Sequence, residues 1–159
     1  MRLTMIIMWL LLSTRVAWMQ TEHQMSCNES PKHNLLSTIV GPMMGNTPAW
    51  MVDDGSGWSR GPFKTLWVLV RNSYQVRISG HQLDGQGIAM LSRGDGSPTD
   101  MLIVTDPTKE SVTPGGASRD IMDAYVFLPS QVRYPNPGCW EFTIRTGEQV
   151  SHVVRLLKP

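Results

Sequence analysis

The clearest fold signal lies at the end of the chain, where residues 139–157 read CWEFTIRTGEQVSHVVRLL. In the first half of this stretch Trp140, Phe142 and Ile144 alternate with polar residues. That period of two is typical of a strand with one buried face. A short connection at 145–149 contains a glycine, and an apolar run returns from Val150 to Leu157. Two such runs joined by a tight turn predict a β-hairpin.

Further strand-like runs lie upstream of this hairpin, separated by clusters of Gly, Pro, Asp and Asn that predict turns. They are predicted at 35–40, 47–52, 64–70, 74–80, 88–91, 101–104 and 124–128. Only three residues separate 64–70 from 74–80, so we expect these two strands to pair antiparallel. Residues 107–119 predict a polar loop. The spacing predicts an all-β fold, an immunoglobulin-like antiparallel β-sandwich of about 7–9 short strands.

The first 24 residues predict a signal peptide or an N-terminal anchor that precedes the sandwich domain at 25–159. Arg2 is followed by a short apolar run from Met5 to Leu12, which is the layout of a secretory leader. The run is shorter than the roughly 20 apolar residues that span a bilayer. A bacterial lipid-attachment site at Cys27 is disfavoured, because Gln24 and Met25 stand where an aliphatic and a small residue are needed.

The balance of charge excludes binding driven by a large net field. Lys+Arg number 14 against 13 Asp+Glu, which gives a formal net charge of +1. A chain with this balance has no general attraction for nucleic acid. We therefore expect no nucleic-acid partner, and contact with a membrane only through the N-terminal segment.

The chain has two cysteines, and export determines what they do. In an oxidising compartment Cys27 and Cys139 are able to form a disulfide. The alternative is that they are two unrelated buried thiols.

Three short motifs, KTLWV at 64–68, GHQLDG at 80–85 and PGCWE at 137–141, follow one another in the chain. In this order the chain resembles a diffuse set of small exported bacterial proteins of no established activity. The resemblance covers most of residues 27–157 and implies an exported sandwich with a terminal disulfide. It implies no catalytic role.

No residue set predicts catalysis, and we expect a protein that is not an enzyme. The histidines at 23, 33, 81 and 152 are accompanied by no hydrolase or metalloprotease motif. Copper is the alternative suggested by His23, Met25 and Cys27 with the methionines at 43, 44 and 51, because Cu(I) prefers sulfur ligands. Methionine is also a common core residue, so we predict no metal and no cofactor.

The tryptophans are the candidate binding residues. Trp67 and Trp140 are predicted to fill the core, whereas Trp50 and Trp58 are candidates for a binding surface. Trp58 stands among Gly and Ser in a predicted turn, so we expect Trp58→Ala to leave folding nearly unchanged.

Together these patterns predict an exported, non-enzymatic binding or structural module of the cell envelope, secreted or membrane-anchored. Its expected partner is another protein or an envelope glycan. One alternative is an accessory subunit of a membrane complex, held there by an uncleaved N-terminal helix. A second alternative is a small exported copper protein or enzyme.

Overall fold

A computed structural model describes residues 26–72 and 74–159 of the chain. The predicted signal or anchor segment, residues 1–24, lies outside the described residues. Within them, ten strands and two short helices follow in this order: β1 (Lys32–His33), α1 (Ser37–Val40), β2 (Met43–Asn46), β3 (Ala49–Val52), β4 (Phe63–Val70), β5 (Val76–Gln82), β6 (Met90–Ser92), β7 (Met101–Val104), α2 (Arg119–Ala124), β8 (Tyr125–Arg133), β9 (Gly138–Thr146) and β10 (Gln149–Leu157).

The strands form two antiparallel sheets, and the prediction of an all-β sandwich is confirmed. One sheet has six strands in the order β1-β2-β3-β4-β8-β6, and the other has four in the order β10-β9-β5-β7. The C-terminal hairpin forms as predicted, with Gln149 opposite Thr146 at its turn and Leu157 opposite Gly138 at its open end. The strands β1 and β2 were not predicted, because the sequence from 27 to 45 is rich in turn residues and apart from 35–40 reads as a loop.

Aromatic side chains fill the space between the two sheets. Trp67 from β4 and Trp140 from β9 are both 0% exposed, so their predicted place in the core is confirmed. Their rings meet neighbours edge to face, with Trp67 at 5.3 Å from Phe142 and Trp140 at 5.2 Å from Tyr134 between ring centroids. Such aromatic pairs add stabilisation beyond the area that they bury.

A second apolar cluster covers part of the outer face of the six-stranded sheet. Trp50, Val68 and Phe127 belong to it. The two helices lie over this cluster, and Ile39 of α1 and Ile121 of α2 pack against it. Both faces of this sheet are therefore apolar over part of their area, which explains why β4 reads as a nearly continuous hydrophobic run.

The predicted strand at 35–40 is wrong, because residues 37–40 form one turn of helix. Leu36, Ile39 and Val40 are spaced i, i+3, i+4, which places all three on one helical face. That face packs on the outer apolar cluster, with Leu36 buried. Tertiary contact thus outweighs the β preference of the β-branched side chains in this segment.

The helix α2 was also not predicted. Ser118 caps it by accepting a hydrogen bond from the backbone N–H of Ile121.

The predicted pairing of 64–70 with 74–80 is also wrong. Strand β4 pairs with β3 and β8, whereas β5 pairs with β7 and β9 in the other sheet. The short connection therefore crosses from one sheet to the other. Asn72 holds it there, because its side-chain oxygen accepts hydrogen bonds from the Tyr74 backbone N–H and the Thr146 hydroxyl, both at 3.1 Å.

Among the described residues, none of the helices has the length and apolar character needed to cross a membrane.

Candidate functional site

A recess with an apolar floor lies on the outer face of the six-stranded sheet, beside the helix-covered cluster. We call it the outer groove. Its volume is about 480 Å³, within the usual range of ligand pockets. It is lined by the end of β3 and the loop after it, the first half of β4, the turn after β6 and the middle of β8: Val52, Asp54, Lys64, Thr65, Leu66, Arg93, Gly94, Pro129, Ser130 and Gln131.

The register of β4 against β8 builds the floor of the outer groove. Leu66 stands opposite Pro129, and Lys64 stands opposite Gln131. The intervening residues Thr65 and Ser130 are buried, so alternation directs the other side chains outward. The floor is therefore an apolar pair followed by a polar pair. Pro129 is exposed within the strand.

The outer groove exists because the strands on both sides of this floor are short. Strand β3 pairs with β4 only along Trp67–Leu69 and ends at Val52. On the other side, β6 ends at Ser92. Arg93 then turns over the sheet, and its Nε donates to the Pro129 carbonyl at 3.2 Å. The floor is left between two walls without a strand or helix above it in the described part of the chain.

The charges on the rim are neutralised except for one. Arg93 pairs with Glu110, and Asp54 accepts a hydrogen bond from Arg155 at 2.9 Å. Lys64 is exposed and has no ion pair among the described residues. The rim therefore presents one uncompensated positive charge beside an apolar floor. This arrangement suits a ligand that combines an apolar group with a negative one.

A buried ion cluster lies behind the wall that contains Asp54. Arg155 is 3% exposed and Asp53 is 7% exposed. The Arg155 guanidinium lies 3.5 Å from Asp53, and the Lys32 ammonium lies 2.7 Å from the same carboxylate. Burial alone raises the pKa of Asp53, but hydrogen bonds from Lys32 and the Gly55 backbone N–H, with the charge of Arg155, lower the pKa below its ordinary value. Burial likewise raises the pKa of Asp54, but hydrogen bonds from Ser56 and the charge of Arg155 lower it, so both carboxylates are ionised at neutral pH.

The two cysteines are joined in a disulfide, with 5.5 Å between their Cα atoms. The carboxylate of Asp84 lies beside this bridge and accepts a hydrogen bond from the Cys139 backbone N–H at 3.0 Å. Gly138 has φ +133°, and a Cβ there would lie 2.6 Å from Asp84. The motifs at 80–85 and 137–141 therefore meet in space, and their contacts support the bridge at one end of the sandwich.

The two tryptophans predicted to form a binding surface do not form one together. Trp50 is 6% exposed and belongs to the outer apolar cluster, so its prediction as a surface residue is wrong. Trp58 is half-buried and packs against the core between the sheets. Its indole N–H donates to the Tyr134 carbonyl at 3.2 Å. Trp58 therefore anchors its loop to the core, so we now expect its removal to destabilise the protein, contrary to the prediction from its sequence context.

The histidines and sulfur atoms are distributed over several separate places. His81 and His152 flank Glu141 on the outer face of the four-stranded sheet, at 3.6 and 3.4 Å from its carboxylate. In the described part of the chain no group of three or more metal-binding side chains is placed to hold an ion. The methionines 43, 44 and 51 are buried and the sulfur of Cys27 is in the disulfide. Three of the methionines in the copper alternative are thus core residues and its cysteine is in the disulfide, while His23 and Met25 lie outside the described range.

Sequence reasoning did not identify the outer groove. The available signal was the pair of outward positions 64 and 66 on a strand that is apolar on both faces. A proline inside the strand at 129 was a second signal, because proline is found near sheet edges and irregularities. Neither signal specifies that β3 and β6 end before they cover the floor.

No protein-family model matches the chain, and no curated protein is significantly similar to it in sequence. Among solved structures, it is similar to one described as that of "a Putative Lipoprotein from Bacillus anthracis". The sequence identity is 17%, the match covers 83% of this chain and 86% of that chain, and the TM-score is 0.44.

Proposed function

We propose that this chain is an exported, non-enzymatic β-sandwich of the cell envelope that binds another envelope protein in its outer groove. The observation that supports binding is the apolar floor around Leu66 and Pro129 beside the uncompensated charge of Lys64. The partner segment places an apolar side chain on the floor and an acidic group next to Lys64.

Export is supported by the disulfide between Cys27 and Cys139. Such bonds form and persist in oxidising compartments and are rare in the cytosol. The leader-like pattern of residues 1–12 supports the same location.

A protein segment is favoured over a glycan because the described tryptophans offer no flat exposed ring. Trp50, Trp67 and Trp140 are buried, and Trp58 is packed on the core. Glycan-binding surfaces depend on aromatic platforms, whereas a groove with an aliphatic floor suits an apolar side chain.

The outer groove is testable with 8-anilinonaphthalene-1-sulfonate, a fluorescent probe that combines apolar rings with a negative group. We expect saturable binding at one site and displacement by the peptide N-acetyl-Asp-Phe-amide. The peptide N-acetyl-Lys-Phe-amide is expected to compete at least fivefold more weakly, because its charge repels Lys64 (~1 kcal/mol at the surface). The two peptides are matched, because they differ only in the charged side chain.

Two Lys→Gln variants at exposed positions provide a test of the site and its control. Lys64→Gln, at the rim, is expected to weaken probe binding several-fold, whereas Lys158→Gln, after the last strand, leaves it unchanged. Equal effects of the two variants, or equal competition by the two peptides, would contradict the proposed site. Circular dichroism of each variant establishes that it is folded.

A further inference from the structure

The outer face of the four-stranded sheet, on the other side of the molecule, has two arginines directly opposite each other. Arg77 of β5 is in register with Arg145 of β9. Both side chains are exposed, and directly opposed residues on antiparallel strands have Cα atoms about 4.5–5.5 Å apart. Like charges in this relation destabilise a sheet. A paired arrangement of this kind therefore calls for a compensating negative charge.

The described residues do not supply that charge. In the described part of the chain, neither guanidinium lies within 4.0 Å of a carboxylate. The cross-strand row that contains the two arginines continues to Ile103 in β7 and to Val150 in β10. Both of these flanking side chains are exposed and apolar. The two positive charges consequently lie side by side without an acidic neighbour in their row.

The arginines line a recess of about 380 Å³ together with Tyr74, Gln75 and Gly147. The Gln75 side-chain oxygen accepts a hydrogen bond from Arg77 Nε at 2.8 Å, which orients the guanidinium and leaves its two terminal nitrogens without a hydrogen-bond partner among the described residues. Gly147 has φ +60°, and a Cβ there would lie 3.1 Å from the Tyr74 ring. The turn thus packs closely on Tyr74, which forms one wall of the recess.

From this geometry we infer that the recess is a binding site for a phosphate group. Two neighbouring guanidinium groups present several N–H donors and two positive charges, which match a tetrahedral dianion with oxygens on every side. A single carboxylate would accept hydrogen bonds from only one of the two guanidinium groups. The net charge of +1 for the whole chain does not oppose this site, because the attraction is local and requires no general field. The phosphate site and the outer groove lie on different sheets.

Inorganic phosphate is the first probe, added to the disulfide-bonded protein at constant ionic strength with chloride as the balancing anion. The arginine Nε–Hε signals and the backbone amide of Gly147 are followed by nuclear magnetic resonance. We expect saturable shifts at Arg77 and Arg145. Shifts that grow linearly with phosphate, or that are equally large at other arginines, would overturn the inference.

Variants separate a specific site from general attraction. Arg77→Gln and Arg145→Gln are each expected to weaken phosphate binding at least tenfold, and Arg145→Lys to weaken it several-fold because lysine lacks the planar fork. Arg60→Gln, an exposed arginine in a loop, is the matched control and is expected to have no effect. Equal losses at positions 60 and 145 would refute the site. Because the side chains at 77 and 145 point to solvent, the folded state is preserved in these variants.

Vesicles distinguish the source of the phosphate. Phosphatidylcholine vesicles with and without phosphatidic acid are sedimented with the protein. Binding that requires phosphatidic acid, is competed by free phosphate and is lost in Arg145→Gln identifies a lipid headgroup. Binding of free phosphate without vesicle binding identifies a soluble phosphate compound. If neither probe binds, the inference fails, while the probe assay of the outer groove is unaffected and still tests the proposed function.

Discussion

Arg155 is a charged residue within the run 150–157, which the sequence predicts as an apolar strand. Its neighbours Val153 and Leu157 on β10 point into the sandwich, and Arg155 shares their inward face. A buried charge is costly unless it is paired and hydrogen-bonded. Asp53 and Asp54, which follow β3, provide the compensating charges. One inward arginine thus determines where a distant loop lies.

The same cluster predicts how stability depends on pH. The pKa of Asp53 is lower in the folded protein than its ordinary value, so its ionised form stabilises the fold at neutral pH. That contribution is present above the pKa of the unfolded chain, about 4, and is lost as pH falls through the lower folded pKa. We expect Asp53→Asn to lower the free energy of unfolding by about 1–3 kcal/mol at pH 7, with a smaller difference from wild type at pH 3.

Urea denaturation at several pH values measures this difference. The matched control is Asp95→Asn, in an exposed turn without an ion pair among the described residues. An equal loss of stability at pH 7 and pH 3 for Asp53→Asn would show that packing, and not charge, explains the effect.

At the scale of elements, strand length determines where the outer groove and its wall lie. Strand β3 stops at Val52 and the chain leaves the sheet as the loop 53–62. Two contacts fix this loop to the rest of the molecule. The Trp58 backbone N–H donates to the Lys158 carbonyl at 2.8 Å, and the Trp58 indole packs on the core. The loop is therefore a fixed wall of the sandwich.

This role predicts that Trp58→Ala destabilises the protein. Removing a half-buried indole that also donates a hydrogen bond is expected to lower the free energy of unfolding by about 2–3 kcal/mol, below the loss for a fully buried tryptophan. Amide hydrogen exchange in residues 53–62 should accelerate more than exchange in the C-terminal hairpin. Trp58→Phe, which keeps the apolar contact, is the control and should recover most of the loss. A fully stable Trp58→Ala variant would restore Trp58 as a surface residue.

At the scale of the whole molecule, the disulfide joins the N-terminal segment to the start of β9 in the four-stranded sheet. The bridge joins residues 112 positions apart. Beyond it, the segment 27–31 runs beside β10, where the Ser30 N–H donates to the Val154 carbonyl at 2.9 Å and the Val154 N–H donates to the Ser30 hydroxyl at 2.8 Å. This segment covers part of the β10 edge of the sheet, which limits pairing with other chains there.

We expect reduction, or the double variant Cys27→Ser with Cys139→Ser, to lower the free energy of unfolding by about 2–5 kcal/mol, because the bridge closes a long loop in the unfolded chain. Urea denaturation with and without reductant measures this loss of stability.

The intact mass of the protein isolated from its own host tests export. An exported protein has lost its leader and gains two hydrogens on reduction. A full-length chain with free thiols would refute export and favour an anchored accessory subunit.

The amino-acid sequence by itself determined the class of fold and the inward face of its clearest strands. Alternation at Trp140, Phe142 and Ile144 predicted the C-terminal hairpin, and their burial confirms its inner face. Such patterns are local, because a period of two requires only neighbouring residues. The cysteine pair was also identified from the sequence, although its pairing there was one of two alternatives.

Tertiary structure alone decided which strands are neighbours and where the candidate sites lie. The register of β4 against β8 placed Leu66 beside Pro129, and the register of β5 against β9 placed Arg77 beside Arg145. Residues more than sixty positions apart form both arrangements. Many pairings of short strands satisfy the same local pattern, and packing of the whole sandwich selects one of them. The physical reason is that periodicity specifies which side of a strand is buried, whereas contacts between distant segments specify what lies next to it.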